Sequence, residues 1–111
     1  MYKIIIATHG TLAEAFKSTL KMFTNDIDDV YSVGLTETGV EEFKEKIDNI
    51  MKKAYEDGKE ILVLADLFGG TPFNTAMLEI KGKYKNVEVI AGVNLPLLIE
   101  ATLLRGGDLK S

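Results

Sequence analysis

Four apolar runs punctuate the chain, and between them apolar residues fall at every third or fourth position. The first run, Tyr2 to Ala7, holds Ile4-Ile5-Ile6 without alternation. That predicts a parallel strand covered on both faces. Leu12, Phe16, Leu20 and Phe23 follow at helical spacing, predicting a helix from about Leu12 to Met22, closed by Thr24-Asn25-Asp26. Val30 to Leu35 is a weaker, mixed strand suited to a sheet edge. Thr38-Gly39-Val40-Glu41 has the spacing of a capping box. Val40, Phe43, Ile47, Ile50, Met51 and Ala54 then line one helix face. The opposite face (Glu42, Lys44, Glu45, Asp48, Lys52, Lys53) reads as solvated surface, and Gly58 as the stop.

Ile61 to Ala65 is wholly apolar and so central. After it, Pro72 fits the first helical position with Thr71 as N-cap. Phe73, Ala76, Met77 and Ile80 form a short stripe that Gly82 ends. Val87 to Val93 is the fourth strand, Asn94-Leu95-Pro96 a turn, and Leu97, Leu98, Ala101 and Leu104 a last short helix. Arg105-Gly106-Gly107-Asp108 is a loose end. Four β-α units joined by right-handed crossovers make an open, doubly wound, mostly parallel sheet between two helix layers. The predicted fold is flavodoxin-like α/β/α with strand order 2-1-3-4, formed by residues 1–111 as a single domain.

Composition narrows the chemistry. The 13 Lys and Arg residues are scattered among 17 Asp and Glu, and the net charge is −4. With no basic stripe, nucleic acid is excluded as a partner. Zero cysteines remove disulfides and thiolate metal sites and fit a reducing cytoplasm. One histidine, no cysteine and no His-x-x-Glu pair leave too few ligands for a metal. The first apolar run is too short for a signal segment or a membrane span. The expectation is a soluble cytoplasmic domain.

The single histidine, His9, stands where the first strand meets its loop; Asp66 ends the third strand. In the order 2-1-3-4 those strands are neighbours, and the chain reverses direction between them, which is where open α/β sheets meet ligands. A carboxylate beside an imidazole fixes its tautomer and leaves the second nitrogen's lone pair outward, as a nucleophile or base. Gly69-Gly70-Thr71-Pro72 opens the third helix with close backbone approach and unpaired N–H groups, a place for an anion. Thr8 and Gly10 border the same edge. Together these features suit a phosphoryl group better than an acyl group. The glycine loop has no Lys, so it is not a Walker A motif, and no GxGxxG follows the first strand. Taken singly, each has a plain reading: a surface histidine, an aspartate capping a helix, a tight turn. Phe16, Phe23, Phe43 and Phe73 read as core. Phe68, in a loop, walls the site or meets a partner, and Asn94 before Pro96 has a plain reading as a turn residue.

The runs Thr8-His9-Gly10, Asp66-Leu67-Phe68-Gly69-Gly70-Thr71-Pro72-Phe73-Asn74 and Val89-Ile90-Ala91-Gly92-Val93-Asn94-Leu95-Pro96 resemble the IIA domain of the mannose-type phosphotransferase system (PTS). The likeness runs in order over nearly the whole chain. It implies that His9 is transiently phosphorylated, taking the group from the carrier HPr and passing it to EIIB, with the membrane components EIIC and EIID involved indirectly. Asp66 would pair with the ring. Thr71 would place its hydroxyl beside the phosphate, among a binding set of Thr8, Gly10, Gly69, Gly70 and Thr71. Phe68, Asn94 and Leu95 would dock partners. No metal or organic cofactor is implied. The family's dimer exchanges a C-terminal strand, whereas this chain stops at Ser111, so the expectation is a short member or a homodimer made differently. Two alternatives stay open: the phosphotransfer subunit of dihydroxyacetone kinase, which shares fold and histidine, and a non-enzymatic regulatory module binding a phosphate-bearing ligand.

Overall fold

Ile4, Ile5, Ile6 and Ala7 have no solvent exposure, because the strand that carries them is enclosed on every side. In this computed structural model, which describes residues 2–55 and 59–103, β1 (Lys3–His9) pairs in parallel with both β2 (Val30–Leu35) and β3 (Ile61–Ala65). β3 in turn pairs with β4 (Val87–Ala91), giving the order β2-β1-β3-β4. The predicted order and the open parallel sheet are therefore observed.

Strand alternation sorts the core into two layers. Ile4, Ile6, Leu62 and Leu64 face Ala13 and Leu20 of α1 (Leu12–Leu20) and Leu98 and Ala101 of α4 (Leu95–Leu103). Ile5, Ala7, Ile61 and Val63 face Phe43, Ile47 and Met51 of α2 (Val40–Ala54) and Ala76 of α3 (Thr71–Ala76). One charge enters this frame. Lys3 is buried, and its ammonium donates to the Ala54 carbonyl at 2.7 Å, at the negative end of the α2 dipole.

Several boundaries differ from the sequence reading. β1 runs on to His9, so the histidine is the last paired residue of its strand, opposite Leu35. α1 stops at Leu20, which leaves Phe23 exposed rather than in the core. β4 ends at Ala91 because Gly92 takes φ +84°, a left-handed conformation that cannot continue a strand. The capping box does not form. Gly39, at φ +103°, is the N-cap of α2, and the Thr38 hydroxyl meets that of Thr36 at 2.6 Å. Thr71 is not the N-cap of α3 but its first residue; Gly70 is the cap. α3 then widens into a π-helical turn, Met77–Lys81, closed by Gly82 N–H to Met77 O at 2.9 Å. Met77, at its start, is 37% exposed while Ile80 stays buried. Leu104 and the 105–108 segment lie outside the described residues.

Candidate active site

At the carboxyl edge of the sheet, β1 and β3 deliver His9 and Asp66 to adjacent positions. The last pair between β1 and β3 is Ala7 with Ala65, so His9 lies two residues beyond that pair and Asp66 one. The Asp66 Oδ2 atom accepts from the His9 backbone N–H at 3.0 Å and lies 2.9 Å from the ring Nδ1. Its Oδ1 accepts from the Leu67 N–H at 3.0 Å. Burial pushes the Asp66 carboxyl up. The backbone N–H of His9, the ring hydrogen bond and the charge of the protonated ring pull it further down, to a net value below its usual 3.8. An ionised Asp66 is acceptor only, so Nδ1 carries a proton, and in the neutral ring Nε2 then keeps its lone pair. The side chain of Asp66 is 11% exposed and that of His9 45%: the carboxylate is tucked in and the ring stands out.

Glycines make room for this. Gly10 turns the chain at φ +58°, and its N–H donates to Leu35 O at 2.7 Å. A Cβ on Gly34 would stand 2.0 Å from the Gly10 carbonyl oxygen, so the loop rests directly on β2. On the other side of the ring, a Cβ on Gly70 would lie 3.1 Å from His9 Cε1. The Leu67–Gly70 turn is closed by Gly70 N–H to Leu67 O at 3.2 Å, with Gly69 at φ +77°.

The anticipated phosphate contacts are not all available. The Thr8 side chain is fully buried; it accepts from Ala13 N–H at 2.7 Å and donates to His9 O at 3.2 Å. Even-numbered residues of β1 face α1, so Thr8 anchors that helix instead of reaching the rim. The N–H groups of Gly10 and Gly70 are occupied. Gly69 and Thr71 flank Gly70 in the chain, Thr71 half-buried and in the first turn of α3, which has no side-chain cap. Phe68 is 84% exposed and stacks obliquely on Phe73, centroids 5.0 Å apart. Leu95 borders a groove of about 180 Å³ with Leu12, Ala15, Phe16 and Thr19. Asn94 is an N-cap: its Oδ1 accepts from Leu97 N–H at 2.8 Å. Two contributors went unnoticed in the sequence. Gly34 showed no signal beyond being a glycine in a strand. Asn74, inside the long motif, donates from Nδ2 to Gly69 O at 2.9 Å. Among the described residues no three His, Cys, Asp or Glu side chains gather as a metal-ligating group. No helix among them is long and apolar enough to cross a membrane.

Fold and site define an open flavodoxin-like α/β protein with a carboxylate-paired histidine at the topological switch point. Comparison with known proteins makes the class specific. A family model for the fructose IIA component of the PTS matches residues 3–110. The fructose-specific EIIA component of Bacillus subtilis (strain 168) is 34% identical over 106 residues, covering 95% of this chain and 71% of that protein. The mannose-specific EIIAB component of Escherichia coli (strain K12) is 33% identical over 110 residues, and this chain spans only 32% of it. Among solved structures, the mannose/sorbose-specific IIA subunit from Enterococcus faecalis superposes with a TM-score of 0.82 at 38% identity, over 93% of this chain and 76% of that one. The chain belongs to the mannose-type EIIA family, as a component of a sugar phosphotransferase system.

Proposed function

We propose that His9 carries a phosphoryl group between two proteins, accepting it from the phosphohistidine of HPr and passing it to a histidine of EIIB during sugar uptake. The observation that carries this reading is the 2.9 Å contact of Asp66 with Nδ1, which leaves Nε2 as the exposed nucleophile. The Nε2 lone pair attacks phosphorus in line with the donor's N–P bond. That bond breaks, its electrons return to the donor imidazole, and a new N–P bond forms on His9. The Nδ1 proton stays hydrogen-bonded to Asp66, whose charge offsets the positive charge the ring gains. The second transfer repeats these steps with His9 as donor. Phosphoryl transfer of this kind needs positioning and charge stabilisation more than acid-base work. A histidine suits the carrier role because its N–P bond retains transfer potential that a serine ester would lose.

The Thr71 hydroxyl and the backbone at Gly69 and Thr71 are the donors assigned to the phosphate, with Gly10 and Gly70 contributing close backbone approach. Phe68 and Leu95 serve as docking residues. The reading takes the whole chain as one cytoplasmic EIIA domain working without a cofactor. It carries the expectation of a homodimer, which sedimentation of the purified chain tests. Incubation with phosphoenolpyruvate, the general phosphotransferase enzyme and HPr should add one acid-labile phosphate by intact mass. His9→Ala should accept none. Label surviving on His9→Ala would sink the proposal, and tight non-covalent binding without transfer would favour a regulatory module.

A further inference from the structure

We infer that Asn74 is a positioning residue for His9, acting through the Gly69-Gly70 turn. Its consequence for transfer rests on the carrier reading above; its geometric basis does not. Asn74 is exposed, so it adds little to the core. Instead its side chain adds a second hold on the turn to the one the helix backbone supplies. Its Nδ2 donates to Gly69 O and its backbone N–H to Gly70 O, each at 2.9 Å. That turn is the wall beside the ring, since a single added carbon on Gly70 would reach within 3.1 Å of His9 Cε1. Cε1 lies between the two ring nitrogens. Asp66 therefore fixes the ring at Nδ1, and Gly70 limits its swing about that hydrogen bond.

The need for such a brace follows from the residues braced. Adjacent glycines have wide conformational freedom, and Gly69 sits at φ +77°. Left to itself the turn would sample many shapes, and the limit on the ring would soften. In-line attack depends on where the Nε2 lone pair points, and small misplacements of a reacting atom are costly. The amide is the right group for the task. Its nitrogen donates to the Gly69 carbonyl, whereas an ionised carboxylate of the same size has nothing to donate.

The test uses Asn74→Ala and Asn74→Asp, both at an exposed position outside the two core clusters. His9 is the only histidine in the chain, so its ring resonances are unambiguous. In the unphosphorylated parent, the Hε1 proton should show a nuclear Overhauser contact to the Gly70 Hα protons. Both variants should lose that contact and show a shifted, broadened Hε1 line. Their maximal rate of phosphoryl acceptance from phospho-HPr should fall on the order of tenfold, with KM for phospho-HPr unchanged. An unaltered Hε1 signal in both variants overturns the proposal. So does a change confined to KM, which would make Asn74 a partner contact. If the ring responds as expected but the parent accepts no phosphate, the positioning role stands and the carrier reading fails.

Discussion

Asp66 has two tasks that one variant separates. Its carboxylate orients the His9 ring, and it also contributes to acid stability, because its folded pKa lies below the usual 3.8. A depressed carboxyl stabilises the fold at every pH above its unfolded value, and that contribution disappears as pH falls through the lower folded value. Asp66→Asn should therefore unfold at lower denaturant than the parent near neutrality, and the difference should close in the acid range below 3.8. In the same variant the charge beside Nδ1 is gone, and acceptance of phosphate should slow by about tenfold or more. Equal transfer rates in both directions would remove Asp66 from the mechanism. This pair was legible in the sequence: a lone histidine and an aspartate closed two strands whose adjacency the β-α rhythm predicts. Thr8 and Asn74 were not. The motif shows that a threonine and an asparagine are near, but only the pleat turns Thr8 inward, and only the folded turn brings Asn74 back to Gly69.

Between elements, the site depends on how closely a loop lies against a strand. The Gly10 carbonyl occupies the space a Gly34 side chain would need, at 2.0 Å from where a Cβ would be. Backbone on both sides leaves nothing flexible to yield. Gly34→Ala should thus shift the β1–α1 loop and cost about 1–3 kcal/mol of stability, measured by denaturant unfolding. Gly70→Ala is the counterpart. Its tight contact is with the edge of the exposed His9 ring at 3.1 Å, while Leu67 Cβ and O stand at an ordinary 3.4 Å, so the ring is what gives way. Stability should stay within about 0.5 kcal/mol while transfer falls. The element pattern itself was readable because Ile4-Ile5-Ile6 and Ile61 to Ala65 admit little besides buried parallel strands. Cap positions were less so. Thr38 and Thr71 have the composition of N-caps, yet Gly39 and Gly70 take those places. The loops before these helices arrive by routes set by the sheet, and local hydroxyl preference yields to them.

For the whole molecule, the proposed carrier role requires one surface to serve two partners. His9 stands in the open, with Leu12 at 42% exposure three residues on, and Leu67 at 59% and Phe68 at 84% directly after Asp66. Apolar side chains left in water fit a surface that is covered transiently, as the carrier reading requires. A donor and an acceptor that both reach Nε2 must approach from the same side. Phe68→Ala should therefore raise KM for phospho-HPr and for EIIB together, each by about tenfold for a lost aromatic anchor. Loss of its stacking on Phe73 should cost under about 1 kcal/mol of stability. Asn94→Ala should behave in the opposite way. Asn94 caps α4 through Leu97 N–H, so its removal should cost about 1 kcal/mol of stability with both KM values unchanged. If Phe68→Ala weakened one transfer and spared the other, the two partners would use separate surfaces. Their exchange would then require a reorientation of His9 that the Asp66 and Gly70 contacts oppose.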